Sequence, residues 1–124
     1  MICIEVERWG EGVEIRAGGH AGYGPPGQDI VCAGVSAILY GCLAYLEGVL
    51  RVFPCRREGQ RTGGPHFEKQ EGDGWLAFRT AGFPGGVDVT AMEVAVAGLS
   101  LLAEAYPAHV MLRVRRAKGS GKKA

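Results

Sequence analysis

The chain carries almost no net charge, and its cysteines lack the spacing of a metal site. Its 14 Lys and Arg against 13 Asp and Glu leave a formal charge of +1 over 124 residues. No overall field therefore marks it as a nucleic-acid or membrane binder. No C-x-x-C pair occurs among Cys3, Cys32, Cys42 and Cys55, so we predict no metal and no cofactor.

A secretion signal is also missing from the start of the chain, because Glu5, Glu7 and Arg8 interrupt its first apolar residues. Without such a signal we expect no disulfide framework, and we predict a cytoplasmic protein with reduced thiols. The uncharged run over residues 30–46 is 17 residues long, the lower limit for crossing a bilayer. Since amphipathic strands flank this run, we interpret it as the buried central helix of a compact domain.

Apolar periodicity predicts a single α+β domain in the order ββαββαβ, with two helices packed on one face of a largely antiparallel sheet. This domain spans residues 1–116, and we expect a disordered basic tail over residues 117–124. The predicted elements are a hairpin over residues 2–17, a helix over 30–50, a polar loop over 54–64, strands near 65–71 and 75–80, a helix starting from a capping box at 90–93 and ending at 106–107, and a strand near 109–116.

Glycine is abundant, with 21 residues in 124, and the stretch GYGPPG at residues 22–27 matches the G-x-G-x-x-G pattern of nucleotide-binding loops. Such loops offer backbone N–H groups to phosphate at a helix N-terminus. Pro25 and Pro26 have no N–H to offer, and Asp29 places a negative charge where the phosphate would lie. The stretch therefore does not predict nucleotide binding.

Cys32 lies in the first turn of the long predicted helix, with Asp29 as its N-cap. Unpaired amides and the helix dipole at that position favour a thiolate, so the thiol is a candidate nucleophile. First-turn side chains point back toward the loop that carries His20, which could act as base or imidazolium partner. Free N–H groups around Cys32 would form an oxyanion hole. The alternative is that Cys32 only packs and His20 lies on the surface.

Other residues near this pair have two interpretations each. Asp29 caps the helix or orients His20, and Ser36, one helical turn after Cys32, contacts the thiolate or packs as a small residue. Tyr23 contacts substrate or is simply exposed. We interpret the remaining candidates as structural: Cys42, His66 and His109.

The segment GHAGYGPPGQDIVCAGVSAI, residues 19–38, resembles the signature of the Prp family of ribosomal-processing cysteine proteases, also called YsxB-like proteins. It pairs GHA with DIVCA and VSA at the spacing of that family. The resemblance implies that Cys32 is the nucleophile and His20 its dyad partner, with Asp29 and Ser36 as supporting residues. It also implies a mobile loop that closes over the peptide, formed by Ala21, Gly22, Tyr23, Gly24, Pro25, Pro26, Gly27 and Gln28.

The resemblance implies an endopeptidase that removes the N-terminal extension of the large-subunit ribosomal protein numbered twenty-seven, cutting after an aromatic residue. It also implies a homodimer, and phage-encoded relatives act on capsid-related proteins. The chain departs from the family at GYGPPGQ, where paired prolines stiffen a segment that usually carries polar or charged residues. The alternative function is a non-catalytic ribosome-associated or RNA-binding module, to which the six basic residues between Arg113 and Lys123 would contribute.

Overall fold

A computed structural model of the protein describes residues 1–25, 27–50, 62–64, 67–82 and 86–117. The predicted order ββαββαβ is confirmed, with one short strand added. That strand comprises only Thr-Gly-Gly, too short for any apolar alternation, so the sequence predicted a loop there. The elements are β1 (Ile2–Trp9), β2 (Gly12–Gly19), α1 (Ile30–Leu50), β3 (Thr62–Gly64), β4 (Phe67–Gly72), β5 (Trp75–Thr80), α2 (Val87–Ala105) and β6 (Val110–Arg116).

The described strands form one mixed sheet in the order β3-β4-β5-β2-β1-β6. Neighbouring strands are antiparallel except β1 and β6, which are parallel. After β6, the Ala117 N–H donates to the Arg8 carbonyl oxygen at 2.8 Å. The remainder of the predicted tail, residues 118–124, lies outside the described residues, as do Cys55 and His66.

Both helices pack on one face of the sheet and share a single apolar core with it. Within α1, the stretch Ile30–Gly48 is long and apolar enough to cross a membrane by length and composition. The core helix of a domain meets the same criteria, and α1 packs against the strands. Burying each large apolar side chain contributes about 1.5–3 kcal/mol to folding. The most deeply buried residues include Ile4, Val6, Ile15, Phe78, Val31, Leu43, Leu46, Met92 and Leu99.

The opposite face of the sheet carries paired charges. Arg16 donates to Glu5 at 2.8 Å and lies 3.6 Å from the carboxylate of Glu7. Arg113 and Arg115 on β6 each lie 3.8 Å from one of these two glutamates on β1. These arginines therefore face carboxylates on the neighbouring strand, which partly offset the positive charge of this part of β6.

Helix α2 begins at Val87, so the predicted capping box at Thr90 is wrong. The buried carboxylate of Asp88 accepts hydrogen bonds from the end of β5 and from the loop that follows it. This tertiary anchor starts the helix one turn earlier than the local pattern indicated. Glu93, the expected partner of the cap, forms a two-atom pair with Arg8 at 2.6 and 2.7 Å.

Gly19 ends β2 in a conformation that other residues rarely adopt, with φ +98°. A Cβ there would overlap the Met1 carbonyl oxygen, so Gly19→Ala should lower the free energy of unfolding by about 2–4 kcal/mol in urea titrations. Gly10→Ala is the matched control, because Gly10 has φ +47° but no atom within 4 Å of an added Cβ. The control should lose only about 1–2 kcal/mol. Equal losses would contradict this explanation.

Candidate active site

Cys32 lies in the first turn of α1, where two cavities meet. One, of about 730 Å³, is bounded by the loop that precedes the helix. The other, of about 240 Å³, reaches the β4–β5 turn at Trp75. Cys32, His20 and Ser36 line both cavities. The fold therefore brings these three predicted site residues to one opening, with the thiol between two spaces that could hold the two sides of a peptide.

Asp29 caps α1 and ties the preceding loop to it. Its Oδ1 accepts the N–H groups of Val31 at 3.0 Å and Cys32 at 2.9 Å. Its Oδ2 accepts those of Tyr23 at 3.0 Å and Gly24 at 3.2 Å. These amides stabilise the charged form and lower the pKa of the Asp29 carboxyl, with the Cys32 amide contributing most. One carboxylate thus holds the helix start and the loop together.

The amides of Val31, Cys32 and Ala33 are consequently not free to form the predicted oxyanion hole. The N–H groups of Val31 and Cys32 are donated to the Asp29 carboxylate, and that of Ala33 to the Asp29 carbonyl oxygen at 3.0 Å. As the predicted N-cap, Asp29 takes up the donors around Cys32 that the oxyanion-hole prediction treated as free. A phosphate at this helix end would have to displace that carboxylate.

The donor at the thiol comes instead from the loop. The Ala21 N–H donates to Cys32 Sγ at 3.3 Å, and Ala21 is only 3% exposed. An amide in this position can stabilise negative charge on the sulfur or on an oxygen that develops beside it. Sequence reasoning placed Ala21 only in the substrate loop, because a backbone donor leaves no trace in a pattern of side chains.

His20 is exposed at the edge of the same cavities. Among the described residues it forms no hydrogen bond with Cys32. Its Nε2 lies 3.8 Å from where a Cβ on Gly74 would stand, close to the β4–β5 turn. The Gly19 N–H donates to the Gly74 carbonyl oxygen at 3.0 Å and keeps that turn beside the histidine. The structure thus gives His20 and Cys32 a shared opening without a hydrogen bond between them.

The loop before α1 packs on the connection between α2 and β6. The ring of Tyr23 lies edge-on to Tyr106, with centroids 5.4 Å apart, and to His109 at 5.3 Å. Tyr23 therefore has a packing role that neither sequence interpretation included. His109 also contacts the backbone of the loop, because its Nδ1 lies 2.9 Å from the Ala21 carbonyl oxygen. Neither contact could be read from the sequence, because they join segments more than 80 residues apart.

The tip of this loop forms a closed turn. The Gln28 N–H donates to the Pro25 carbonyl oxygen at 2.9 Å. Gly22, before the turn, and Gly27, within it, have φ of +67° and +83°, a conformation that favours glycine. Pro26 lies outside the described residues. Gly22 and Gly27 therefore serve chain reversal rather than approach of the backbone to a phosphate.

The other described cysteines lie away from this opening. Cys42 is buried in the core, where desolvation raises the pKa of its thiol to about 11, which makes it a poor nucleophile at neutral pH. Cys3 is exposed on β1. Within the described part of the chain, no group of three or more His, Cys, Asp or Glu residues could hold a metal ion.

Known cysteine proteases resemble this chain in sequence. Ribosomal processing cysteine proteases Prp from two strains of Staphylococcus aureus, Mu50 and NCTC 8325, are each 41% identical over 51 residues, covering 40% of this chain. That alignment spans 48% of the S. aureus proteins, about half of their length.

Solved structures share the fold. The S. aureus protease Prp with a covalently linked product peptide superposes with a TM-score of 0.71 at 24% identity, covering 93% of this chain and 100% of that one. A Streptococcus mutans protein gives 0.65 at 24% identity, covering 94% and 96%. The sequence profile described as cysteine protease Prp matches residues 1–111. This match extends over most of the chain, which therefore belongs to the Prp family of ribosomal-processing cysteine proteases.

Proposed function

We propose that this protein is a cysteine endopeptidase with Cys32 as the nucleophile and His20 as its general base and acid. The observation that carries this proposal is the position of Cys32. Its thiol lies in the first turn of α1, between two cavities, with the Ala21 amide 3.3 Å from its sulfur. His20 lines the same two cavities and is the one histidine among their described lining residues, and imidazole is the side chain that most often acts as general base and acid.

The proposed reaction is acyl transfer to sulfur followed by hydrolysis. His20 takes the proton of the Cys32 thiol, and the sulfur attacks the carbonyl carbon of the scissile peptide. The carbonyl oxygen becomes an oxyanion, which the Ala21 N–H is placed to stabilise. The C–N bond then breaks, and His20 gives its proton to the leaving amine. Water, deprotonated by His20, attacks the thioester carbonyl, the C–S bond breaks, and the released Cys32 thiolate takes the proton back from His20.

We propose as substrate the N-terminal extension of the large-subunit ribosomal protein numbered twenty-seven, cut after an aromatic residue. The S. aureus Prp structures contain a covalently linked product peptide and a substrate peptide, which supports peptide chemistry at this site. In this chain the smaller cavity is partly apolar, with Leu39, Trp75 and Leu76 among its lining residues. Such a lining suits a large apolar side chain next to the scissile bond.

The test is to incubate the protein with a synthetic peptide that carries the extension of the host ribosomal protein and to identify the products by mass spectrometry. We expect one cut, directly after the aromatic residue. A matched peptide with glycine in place of the aromatic residue should stay intact. A second peptide, taken from a phage capsid-related protein, tests whether the protein cleaves the substrates of its phage-encoded relatives. Cleavage of the glycine peptide at the same rate would contradict the aromatic preference. If the protein cleaves no peptide but binds ribosomes, and this binding weakens as the salt concentration rises, the non-catalytic module is favoured.

We further propose that the protein is a cytoplasmic homodimer that pairs through its helical layer. Val94 and Leu101 on α2 are 67% and 68% exposed, and Tyr45 on α1 is 46% exposed. Between the helices runs a groove of about 540 Å³, and none of its described lining residues is charged. Two such grooves with uncharged linings can bury each other across a twofold axis, which supports a second copy as the occupant.

Val94→Glu is therefore expected to convert the dimer to a monomer, because it places a charge in the centre of the proposed interface. Light scattering on a size-exclusion column at micromolar concentration measures the mass. Val114→Glu is the matched control, because Val114 is 46% exposed on β6, outside the helical layer. It should remain dimeric. A monomeric parent protein, or a dimeric Val94→Glu variant, would contradict the proposal.

A further inference from the structure

We propose that His109 is a positioning residue that holds Ala21 against the nucleophile and thereby sets the reactivity of Cys32. This inference rests on the proposed role of Cys32. His109 Nδ1 lies 2.9 Å from the Ala21 carbonyl oxygen. A carbonyl oxygen can only accept a hydrogen bond, so Nδ1 must carry the proton, as it does in one neutral tautomer and in the imidazolium form. His109 is thus the donor.

Ala21 is held by both of its backbone polar groups. Its N–H donates to Cys32 Sγ at 3.3 Å, and its carbonyl oxygen accepts from His109. The residue is buried at 3% exposure, so water does not readily replace either partner. Releasing the carbonyl would free the backbone to rotate and carry the N–H away from the sulfur. His20 directly precedes Ala21, so the same contact also steadies the backbone that carries the proposed base.

His109 itself stands on a rigid part of the molecule. Its N–H donates to the Tyr106 carbonyl oxygen at 2.9 Å, and its own carbonyl oxygen accepts the Ile2 N–H at 2.9 Å. The first bond ties it to the end of α2 and the second to β1. Its ring also packs edge-on against Tyr23, with centroids 5.3 Å apart. The His109 side chain therefore fixes the position of the loop relative to α2 and the sheet.

Besides the Cys32 sulfur, two side-chain anchors form hydrogen bonds with the loop backbone among the described residues, and they act at different points. Asp29 binds the amides of Tyr23 and Gly24, whereas His109 binds the carbonyl of Ala21. The Asp29 anchor comes from the helix start, and the His109 anchor comes from the α2–β6 connection. Only the His109 anchor acts on the residue whose amide contacts the sulfur.

Two substitutions separate the hydrogen bond from the ring contact. His109→Phe keeps an aromatic ring for Tyr23 but removes the donor. His109→Asn loses the ring but offers an amide donor near the position of Nδ1. We expect iodoacetamide to alkylate Cys32 about fivefold more slowly in the Phe variant at neutral pH, the factor that one neutral hydrogen bond provides. Its pH profile should move to higher pH. The Asn variant should stay within about twofold of the parent protein.

The alkylation is read by mass spectrometry of the Cys32 peptide, and exposed Cys3 serves as internal control because it lies on β1. Its rate should be the same in every variant. Parent-like alkylation of Cys32 in His109→Phe would overturn the proposal, as would equal slowing in His109→Asn. If the Phe variant does not fold, His109→Met removes the donor in the same test. Alkylation requires no peptide, so failure of peptide cleavage alone would overturn the proposed function and not this inference.

Discussion

Replacing Cys32 by alanine is expected to abolish cleavage of the extension peptide, with kcat/KM falling by at least about 10³-fold. The reason is chemical, since alanine offers no atom that can attack the carbonyl carbon and form the thioester. Cleavage is followed by chromatography of the two product peptides at a substrate concentration below KM. The variant should keep the melting temperature of the parent protein to within a few degrees, because the thiol is only partly buried.

The matched control for this result is Cys3→Ala. Cys3 is an exposed thiol on β1, on the face of the sheet opposite to the helices, and does not line either cavity. Its replacement should leave kcat/KM unchanged. Cleavage by Cys32→Ala at the parent rate would show that another group performs the attack, and the proposed mechanism would have to be abandoned.

Replacing Asp29 by asparagine is expected to separate helix capping from the anchoring of the loop. An amide oxygen can still accept the N–H groups of Val31 and Cys32. The amide nitrogen, however, would face the N–H groups of Tyr23 and Gly24, and two donors cannot bond to each other. We therefore expect a folded variant whose cleavage rate falls about tenfold or more because the loop is released.

Asp29→Ala is the control for this separation, because it removes both functions. It should lose melting temperature as well as activity, whereas Asp29→Asn loses mainly activity. Equal cleavage by the parent and Asp29→Asn would contradict a role for the loop contacts. Equal loss of melting temperature in both variants would contradict the distinction between cap and anchor.

The lowered pKa of the Asp29 carboxyl also predicts how the stability of the protein depends on pH. Four amides lower the pKa of Asp29 in the folded protein, so its contribution to stability is fully present above the pKa of the unfolded chain. That contribution is lost as the pH falls through the lower, folded value. Between pH 7 and about pH 3 the melting temperature of the parent protein should therefore fall more than that of Asp29→Asn. The opposite order would contradict this assignment.

Local patterns predicted much of the architecture because their causes are local. Alternating apolar residues make β1 and β2 a hairpin, and the helical repeat with Asp29 as cap places α1 at Ile30–Leu50, as predicted. Where a distant contact dominates, these rules were insufficient. The start of α2 depends on buried Asp88, and Glu93 pairs with Arg8, 85 positions away. The pairing of β6 with β1 likewise depends on tertiary packing, because the apolar alternation within a strand does not specify its neighbour in the sheet.

The active site likewise has features that the sequence determined and features that only the tertiary structure decided. The sequence by itself determined that Cys32 lies in the first turn of a capped helix and that His20 precedes it across a glycine loop. The tertiary structure alone decided which amides remain free, that the Ala21 N–H contacts the sulfur, and that His109, 88 residues beyond Ala21, holds that residue in place. The physical reason is that every residue except proline carries the same backbone N–H and carbonyl groups, so only the packing of the α2–β6 connection against the loop determines which of them meet.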